Sequence, residues 1–354
     1  MTHTFNRRYR LSVPSLAVLA LGLMHGTLQS SDWPMWRCDS MRSASSPESL
    51  GKTLHIEHVI KGTGRKPTWE DPLNADVMSY DRILEPIILG EQLLVGFNDS
   101  DKVVSYDLKS GEVNWSFFAE GPVRLPLAAA DGAVFFSSDD GHLYSLDAAT
   151  GTLLWRFRGA PLDRLAIGNS RLISAWPARG GPVLYGDQVY FASSIWPFMG
   201  TFIYSLDKKS GEVTWANDET GSQYIKQPHS APSFAGVGPQ GALLATKDML
   251  IVPGGRSVPA VFDRLTGKQR YFELNAGGKG TGGSFVTAND DHFYVHTRLK
   301  GTRQFSLGNG VKTAFMPNEP VLAGDVVFSA EMEKGIATIC AWNPDGTKLW
   351  DVPG

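Results

Sequence analysis

Three arginines stand in phase along this chain. Counting back from Leu93, Val134 and Val189, each the first apolar residue of a strand-like run, Arg82, Arg124 and Arg179 fall 11, 10 and 10 positions earlier. Pro86, Pro126 and Pro182 follow at 7, 8 and 7. Lys226, His229 and then Lys279 occupy the same phase further on, Arg256 stands in the run Val252–Pro259, and Glu319 breaks the series. Like charges converging on one opening focus the local field and attract an anionic ligand or an acidic partner segment. Paired instead with nearby carboxylates such as Glu85, Asp163 and Asp187, the same residues only brace their loops, and both readings stay open. Trp176, Trp196 and Tyr224 lie in long inserted loops, where aromatic residues either mark a binding surface or pack on each other to order the loop.

Other reactive chemistry is sparse. The eight His are scattered, and no His-x-x-x-His lies on a plausible helix, so no metal site is expected. His55 and His58 read as an exposed pair. No Gly-x-Ser-x-Gly nucleophile elbow occurs, and no catalytic residue is assigned. The stretch Gly277–Gly283 lacks the Lys-Ser/Thr of a phosphate loop and reads as a flexible entry to the next repeat. Asp139-Asp140 and Asp290-Asp291 read as solvated turns, which leaves no acidic loop to supply the roughly six oxygens that Ca²⁺ takes. A net charge of −3 and the lack of a basic run give no reason to bind nucleic acid.

The elements that must position these residues announce themselves by repetition. An Asp is followed by Gly four residues later and by a large aromatic eight residues later. The copies are Asp107, Gly111, Trp115; Asp147, Gly151, Trp155; Asp207, Gly211, Trp215; and Asp263, Gly267, Tyr271. A shortened copy runs from Asn343 through Gly346 to Trp350. The Asp positions are 40, 60 and 56 residues apart. Apolar runs such as Val103–Tyr106 and His142–Leu146 precede each Asp and read as strands. The Asp accepts backbone hydrogen bonds and starts a turn, and the Gly supplies positive φ, which suits a hairpin with a type I turn and a left-handed residue. A second apolar pair lies upstream of each hairpin, so each unit holds about four strands, one blade of an all-β propeller. Blades are expected over about 78–115, 122–155, 178–215 and 228–271, then a degenerate fifth from Ser284, and a sixth over about Pro320–Trp350. Six blades are recognisable, with eight expected if the chain is part of a longer protein.

The Asp/Asn-x-x-Ser/Thr-Gly-x-x-x-Trp hairpin resembles the repeat of pyrroloquinoline-quinone-type propellers over residues 78–354. That superfamily holds quinoprotein alcohol and glucose dehydrogenases and non-enzymatic members such as an outer-membrane assembly lipoprotein. The start, Asp32–Arg37, is similar to the N-terminal segment of bacterial members. The stretches Ser174–Pro182 and Val252–Pro259 resemble uncharacterised quinone-binding-like propellers of planctomycete-type bacteria, which have no established chemistry. The resemblance implies two functions. One is an exported binding or scaffold module, with a protein partner or small anionic ligand and no cofactor. The alternative is a pyrroloquinoline quinone-dependent dehydrogenase with Ca²⁺, oxidising alcohols or sugars. The larger alcohol dehydrogenases hold the quinone against an adjacent-Cys disulfide, and this chain has no adjacent Cys pair, so the binding module is preferred.

Residues 1–30 read as an export signal, with Arg7, Arg8 and Arg10 ahead of the apolar stretch Leu11–Met24. A periplasmic or extracellular location follows, with an uncleaved anchor as the open alternative. No later stretch approaches transmembrane length. Residues 31–77 form an N-terminal segment expected to pair with the last blade. Its Cys38 would then approach Cys340, so a Cys38–Cys340 disulfide and two separate thiols are both open readings.

Overall fold

The Asp–Gly turns form as their chemistry requires. Asp107 Oδ1 accepts from the backbone N of Lys109 and Ser110 at 3.0 and 2.7 Å. Asp207 and Asp263 do the same for the residues two and three ahead, at 3.0 and 2.8 Å and at 3.1 and 2.9 Å. Gly111, Gly151, Gly211 and Gly267 close these turns at φ of 71°, 71°, 73° and 71°, in the left-handed region where a Cβ is costly. Each hairpin carries a register shift just before the turn, such as that between Ser105 and Tyr106 or between Ser205 and Leu206. This is the bulge that a type I turn plus a left-handed residue produces.

The protein is seen here as a computed structural model that describes residues 32–51, 53–56, 59–60, 84–168, 171–226, 231–255, 257–274, 276, 282–297, 301–316, 318–333 and 335–353. Residues 1–30, read above as an export signal, and the positions Arg82, His229, Arg256 and Lys279 lie outside the described residues, as does most of Gly277–Gly283. One compact unit spans Ser31–Gly354.

That unit is all-β, an array of antiparallel sheets of the propeller type. Blade 1 is β1 (Ile87–Leu89), β2 (Gln92–Phe97), β3 (Lys102–Asp107) and β4 (Val113–Phe118). Blade 2 is β5 (Ala128–Ala130), β6 (Ala133–Ser137), β7 (His142–Asp147) and β8 (Leu153–Arg158). A two-stranded ribbon, β9 (Leu165–Gly168) and β10 (Arg171–Ser174), precedes blade 3. Blade 3 is β11 (Gly180–Tyr185), β12 (Gln188–Ser193), β13 (Phe202–Asp207) and β14 (Val213–Asn217), with a short 3₁₀ turn at Pro197–Met199. A second ribbon, β15 (Gln223–Lys226) and β16 (Pro232–Ala235), leads to β17 (Gly241–Ala242), which pairs parallel with β11. Blade 4 is β18 (Leu244–Ala245), β19 (Met249–Gly254), β20 (Ser257–Asp263) and β21 (Gln269–Tyr271). Blade 5 is β22 (Val286–Ala288), β23 (His292–Thr297), β24 (Gly301–Ser306) and β25 (Lys312–Met316). Blade 6 is β26 (Val321–Ala323), β27 (Val326–Glu333), β28 (Ile336–Trp342) and β29 (Lys348–Pro353). Apolar clusters fill each gap between successive blades, for example Leu94, Val103 and Trp115 of blade 1 against Phe136, Tyr144 and Leu146 of blade 2.

One contact staples blade to blade. Trp115 Nε1 donates to Ala148 O of the next blade at 2.9 Å, Trp155 Nε1 to Lys208 O at 3.3 Å and Trp215 Nε1 to Arg264 O at 3.0 Å. Tyr271 repeats it through its hydroxyl to Leu307 O at 2.6 Å. In each case the acceptor is the residue after the turn-starting position, and the ring lies on the turn glycine. A Cβ on Gly151 would sit 2.6 Å from the Trp115 ring, so glycine is required there twice over. Blade 5 has Ala314 where the aromatic belongs, and buried Gln304 supplies the donor instead, to Pro344 O of blade 6.

The N-terminal segment meets every blade, not the sixth alone. Trp33 and Ile88 exchange backbone hydrogen bonds at 3.0 and 2.9 Å, and Ala129 N donates to Pro34 O at 2.8 Å. Further on, Ala245, Ala288 and Leu322 donate to the carbonyls of Ser40, Met41 and Ser43 at 2.9, 3.0 and 2.8 Å. Each partner lies on the first strand of its blade, so residues 33–43 run as a strap across the inner strands. Blade 3 is reached by a side chain, Arg42 Nη2 donating to Pro182 O at 3.0 Å. The strap holds Arg37, Cys38, Arg42 and Ala44 at φ of 58°, 80°, 60° and 60°, conformations that persist only where surroundings over-determine them.

The Cys38–Cys340 disulfide does not form, and both cysteines are free. The strap reaches blade 6 at its first strand, whereas Cys340 lies on the third, β28, two strand spacings or about 10 Å further out.

Candidate functional site

The connections that lead into each first strand converge with the strap on a cavity of about 770 Å³, lined by residues from all six blades. Trp36 lies within its lining, with Phe285 edge-on to it at 5.4 Å between ring centroids. Charged and polar groups come from Glu85, Arg124, Arg179, Gln240 and Glu319.

Arg124 and Arg179 both line this cavity, and they meet over a carboxylate. Arg124 Nε donates to Asp139 Oδ2 at 2.6 Å, and Arg179 grips both oxygens of the same group, Nη2 at 2.9 Å from Oδ2. Asp139 is 1% exposed, so its reading as a solvated turn residue is corrected. Asp140 beside it is half-buried. Burial alone would raise its pKa, but hydrogen bonds from His142 and Tyr144 bring it below the ordinary carboxylate value. Two neighbouring like charges need such a counterion, because breaking a buried charge pair costs several kcal/mol, of the order of 3–5.

Lys226 does not join them. The ribbon β15–β16 intervenes between blade 3 and blade 4, so Lys226 stands on β15 and Gln240 takes the mouth position in its place. Counting residues fails there because the inserted hairpin changes the phase. Of the two readings open for Trp176, the structure shows the loop-ordering one: it is 7% exposed and donates from Nε1 to Met199 O at 2.8 Å, which ties down the 3₁₀ turn.

The loop aromatics that do face solvent lie in the β12–β13 connection of blade 3 and on the ribbon between blades 3 and 4. Trp196 pairs with Phe198 at 6.0 Å and Tyr224 with Phe234 at 5.2 Å between centroids, all four exposed. On the first ribbon, Leu165, Ile167 and Leu172 share one exposed side, since Leu172 pairs with Ile167. Arg171 anchors that ribbon to the β2–β3 turn of blade 1, bonding Asp99 O at 2.9 Å and the Asp101 carboxylate. Burial raises the Asp101 pKa even so, with Arg171 opposing it.

Arg42 is the residue that sequence reasoning missed entirely. It is fully buried, and its guanidinium donates to Trp36 O, Pro182 O and Leu243 O at 2.8–3.2 Å. Burial lowers its pKa to about 10, with Asp39 and Glu85 opposing the shift, so it stays charged at neutral pH. Nothing in the local sequence marks it, because its partners lie 140 and 201 residues away.

The fold and the stapled Asp–Gly turns define a propeller built of quinoprotein-type repeats. The chain belongs to the family described as outer membrane protein assembly factor BamB, whose model matches residues 60–249. Among curated proteins it is 25% identical over 177 residues to a polyvinylalcohol dehydrogenase of a Pseudomonas species, covering 49% of this chain and 26% of that one. It is 24% identical over 123 residues to an uncharacterised protein of Rickettsia conorii, covering 31% and 30%. The chain thus spans less than a third of these curated relatives. Of solved structures, a europium-containing methanol dehydrogenase aligns with TM-score 0.57 at 13% identity, covering 91% of this chain and 78% of that one. A quinohemoprotein alcohol dehydrogenase from Comamonas testosteroni aligns with TM-score 0.56 at 13% identity, covering 92% and 67%. These likenesses show the fold. Among the described residues no three His, Cys, Asp or Glu group as a metal site, and no helix is long and apolar enough to cross a membrane.

Proposed function

We propose that this protein is an exported propeller-type binding module that holds a protein partner on the face where the axial cavity opens. The observation that carries this is the pair of ribbons, which project Leu165, Ile167, Leu172, Tyr224 and Phe234 into solvent beside Trp196 and Phe198. Exposed apolar residues gathered on one face mark interaction sites, and aromatic anchors dominate them. The family description names an assembly factor, so the proposed partner class is a protein of the cell envelope. A protein is preferred to a small anion because Arg124 and Arg179 already neutralise Asp139, while Glu85 and Glu319 line the same wall.

The competing reading is a quinone-dependent dehydrogenase, supported by the fold of its relatives. A tricarboxylate quinone with Ca²⁺ asks for uncommitted cations and clustered oxygens. The described wall fits it poorly, with carboxylates matching guanidiniums in number. The test is photo-cross-linking in intact cells from positions 167 and 234, with position 113 on blade 1 as control. Adducts from the ribbons that vanish in an Ile167→Asp, Phe234→Asp double variant are expected. Equal adducts from position 113, or stoichiometric retention of added quinone with Ca²⁺ and turnover of alcohols, would reverse the choice.

A further inference from the structure

The connection between β12 and β13 shows two large aromatics to water and is built to keep them there. Trp196 and Phe198 are 54% and 75% exposed, and they flank Pro197 where the 3₁₀ turn begins. The backbone is fixed at both ends. Ser194, 1% exposed, is held at φ 91°, and its N donates to Pro177 O at 2.9 Å. A buried non-glycine residue persists there only where its surroundings over-determine it, and such strain gathers at binding sites. At the far end Gly200 has φ 92°, and the Thr201 hydroxyl donates to Val237 O. Within the turn, Met199 N and Gly200 N donate to Trp196 O and Pro197 O at 2.9 and 3.0 Å, and the buried Trp176 indole bonds Met199 O. The segments on either side of the β15–β16 ribbon press on the turn from outside. A Cβ on Gly221 would lie 2.7 Å from Thr201 N and 2.8 Å from Pro197 O, and one on Gly238 would lie 3.3 Å from Pro197 Cγ.

The shape of this turn selects its occupant. Small molecules are held in concave sites, and neither ring is among the residues that line the cavity. Two rings this exposed on one tight turn form a knob, so the occupant must supply the cleft. An extended peptide has no cleft to offer. A lipid surface accepts aromatic rings too, but Asp218 and Glu219 stand exposed in the turn that carries Gly221, and anionic headgroups disfavour carboxylates.

We propose that Trp196 and Phe198 are a preformed anchor that enters an apolar cleft of a folded protein partner, with Tyr224 and Phe234 on the neighbouring ribbon as its rim. This rests on the reading of the chain as a module that binds a protein. Anchors held rigid before binding contribute more than equally exposed mobile ones, because less freedom is lost when they dock. Phe234 provides the comparison. It is 72% exposed, close to Phe198, but stands on a two-stranded ribbon, an element of marginal stability by itself.

In the test, the protein that photo-cross-links from positions 167 and 234 is identified by mass spectrometry, purified and titrated calorimetrically against the full chain and its variants. Trp196→Ala and Phe198→Ala should each weaken binding by about 30-fold or more, the size of a hot-spot truncation, and Phe234→Ala by less than about fivefold. All three alter exposed rings, so near-ultraviolet circular dichroism should report an unchanged fold. Amide exchange at Met199 and Gly200 should be slow in the unbound protein, and the cross-linked peptides should come from separate segments of one partner chain. Equal losses at Phe198 and Phe234, or fast exchange at Met199 and Gly200, overturn the anchor and leave the binding module standing. Cross-links confined to one short peptide overturn the cleft. Co-sedimentation with vesicles of phosphatidylethanolamine and phosphatidylglycerol that is lost in Trp196→Ala overturns the proposal in favour of lipid. Absence of adducts from both positions removes the binding module itself, and the anchor with it.

Discussion

Replacing Arg42 with Met should destabilise the protein by about 3–5 kcal/mol, the range for removing one side of a buried charged network. The figure follows from the contacts. The guanidinium serves three carbonyls, those of Pro182 and Leu243 in the interior and that of half-buried Trp36. Each carbonyl left without a donor costs about 1–3 kcal/mol. Part of that total returns because the variant no longer buries a charge, whose effective desolvation penalty is several kcal/mol. Met fills most of the aliphatic volume, so the loss reads hydrogen bonding rather than a cavity. Arg42→Lys should fall between wild type and Met, since one ammonium cannot present the planar fork that reaches three acceptors. The assay is the urea midpoint at constant m-value, with near-ultraviolet circular dichroism to confirm an unchanged fold. An Arg42→Met protein within about 1 kcal/mol of wild type, the size of an ordinary surface change, would refute the role of the strap as a tie between blades.

Two further outcomes follow from the turns and staples. Trp215→Leu should cost about 2 kcal/mol, below the roughly 3–5 kcal/mol for removing a fully buried aromatic because Trp215 is half-buried, with the loss seen as an earlier thermal transition. Asp107 and Asp207 are held below the usual carboxylate range by hydrogen bonds from the backbone and hydroxyl of Ser110 and Ser210. A depressed folded pKa contributes stability above the unfolded value of about 3.9 and loses it as pH falls through the lower folded value. An Asp107→Asn, Asp207→Asn variant should therefore show a flatter decline of Tm from about pH 4 to pH 2. The same acid decline in variant and wild type would show that these turns do not sense pH.

The blades were legible because their signal is local. Asp107, Ser110, Gly111 and Trp115 lie within nine residues and build turn, bulge and staple donor among themselves. The strand-A phase also grouped Arg124 and Arg179, which line one cavity. It failed at Lys226, where a ribbon of two strands looks in sequence like any polar loop with a few aromatics. It also misjudged Asp139, since an Asp-Asp pair in a turn gives no hint of a guanidinium 40 residues away.

The amino-acid order alone determined the repeat, the four-stranded unit and the positions of its turns, because hydrogen bonds spanning two to four residues and alternation of period two need no distant partner. Tertiary structure alone decided what the inner face carries. Charge neutralisation at the mouth, the buried Arg42 and the path of residues 33–43 across six blades all depend on contacts between segments far apart in the chain. Such contacts are set by how the blades pack, and packing follows from the shape of the whole interior rather than from any stretch of it.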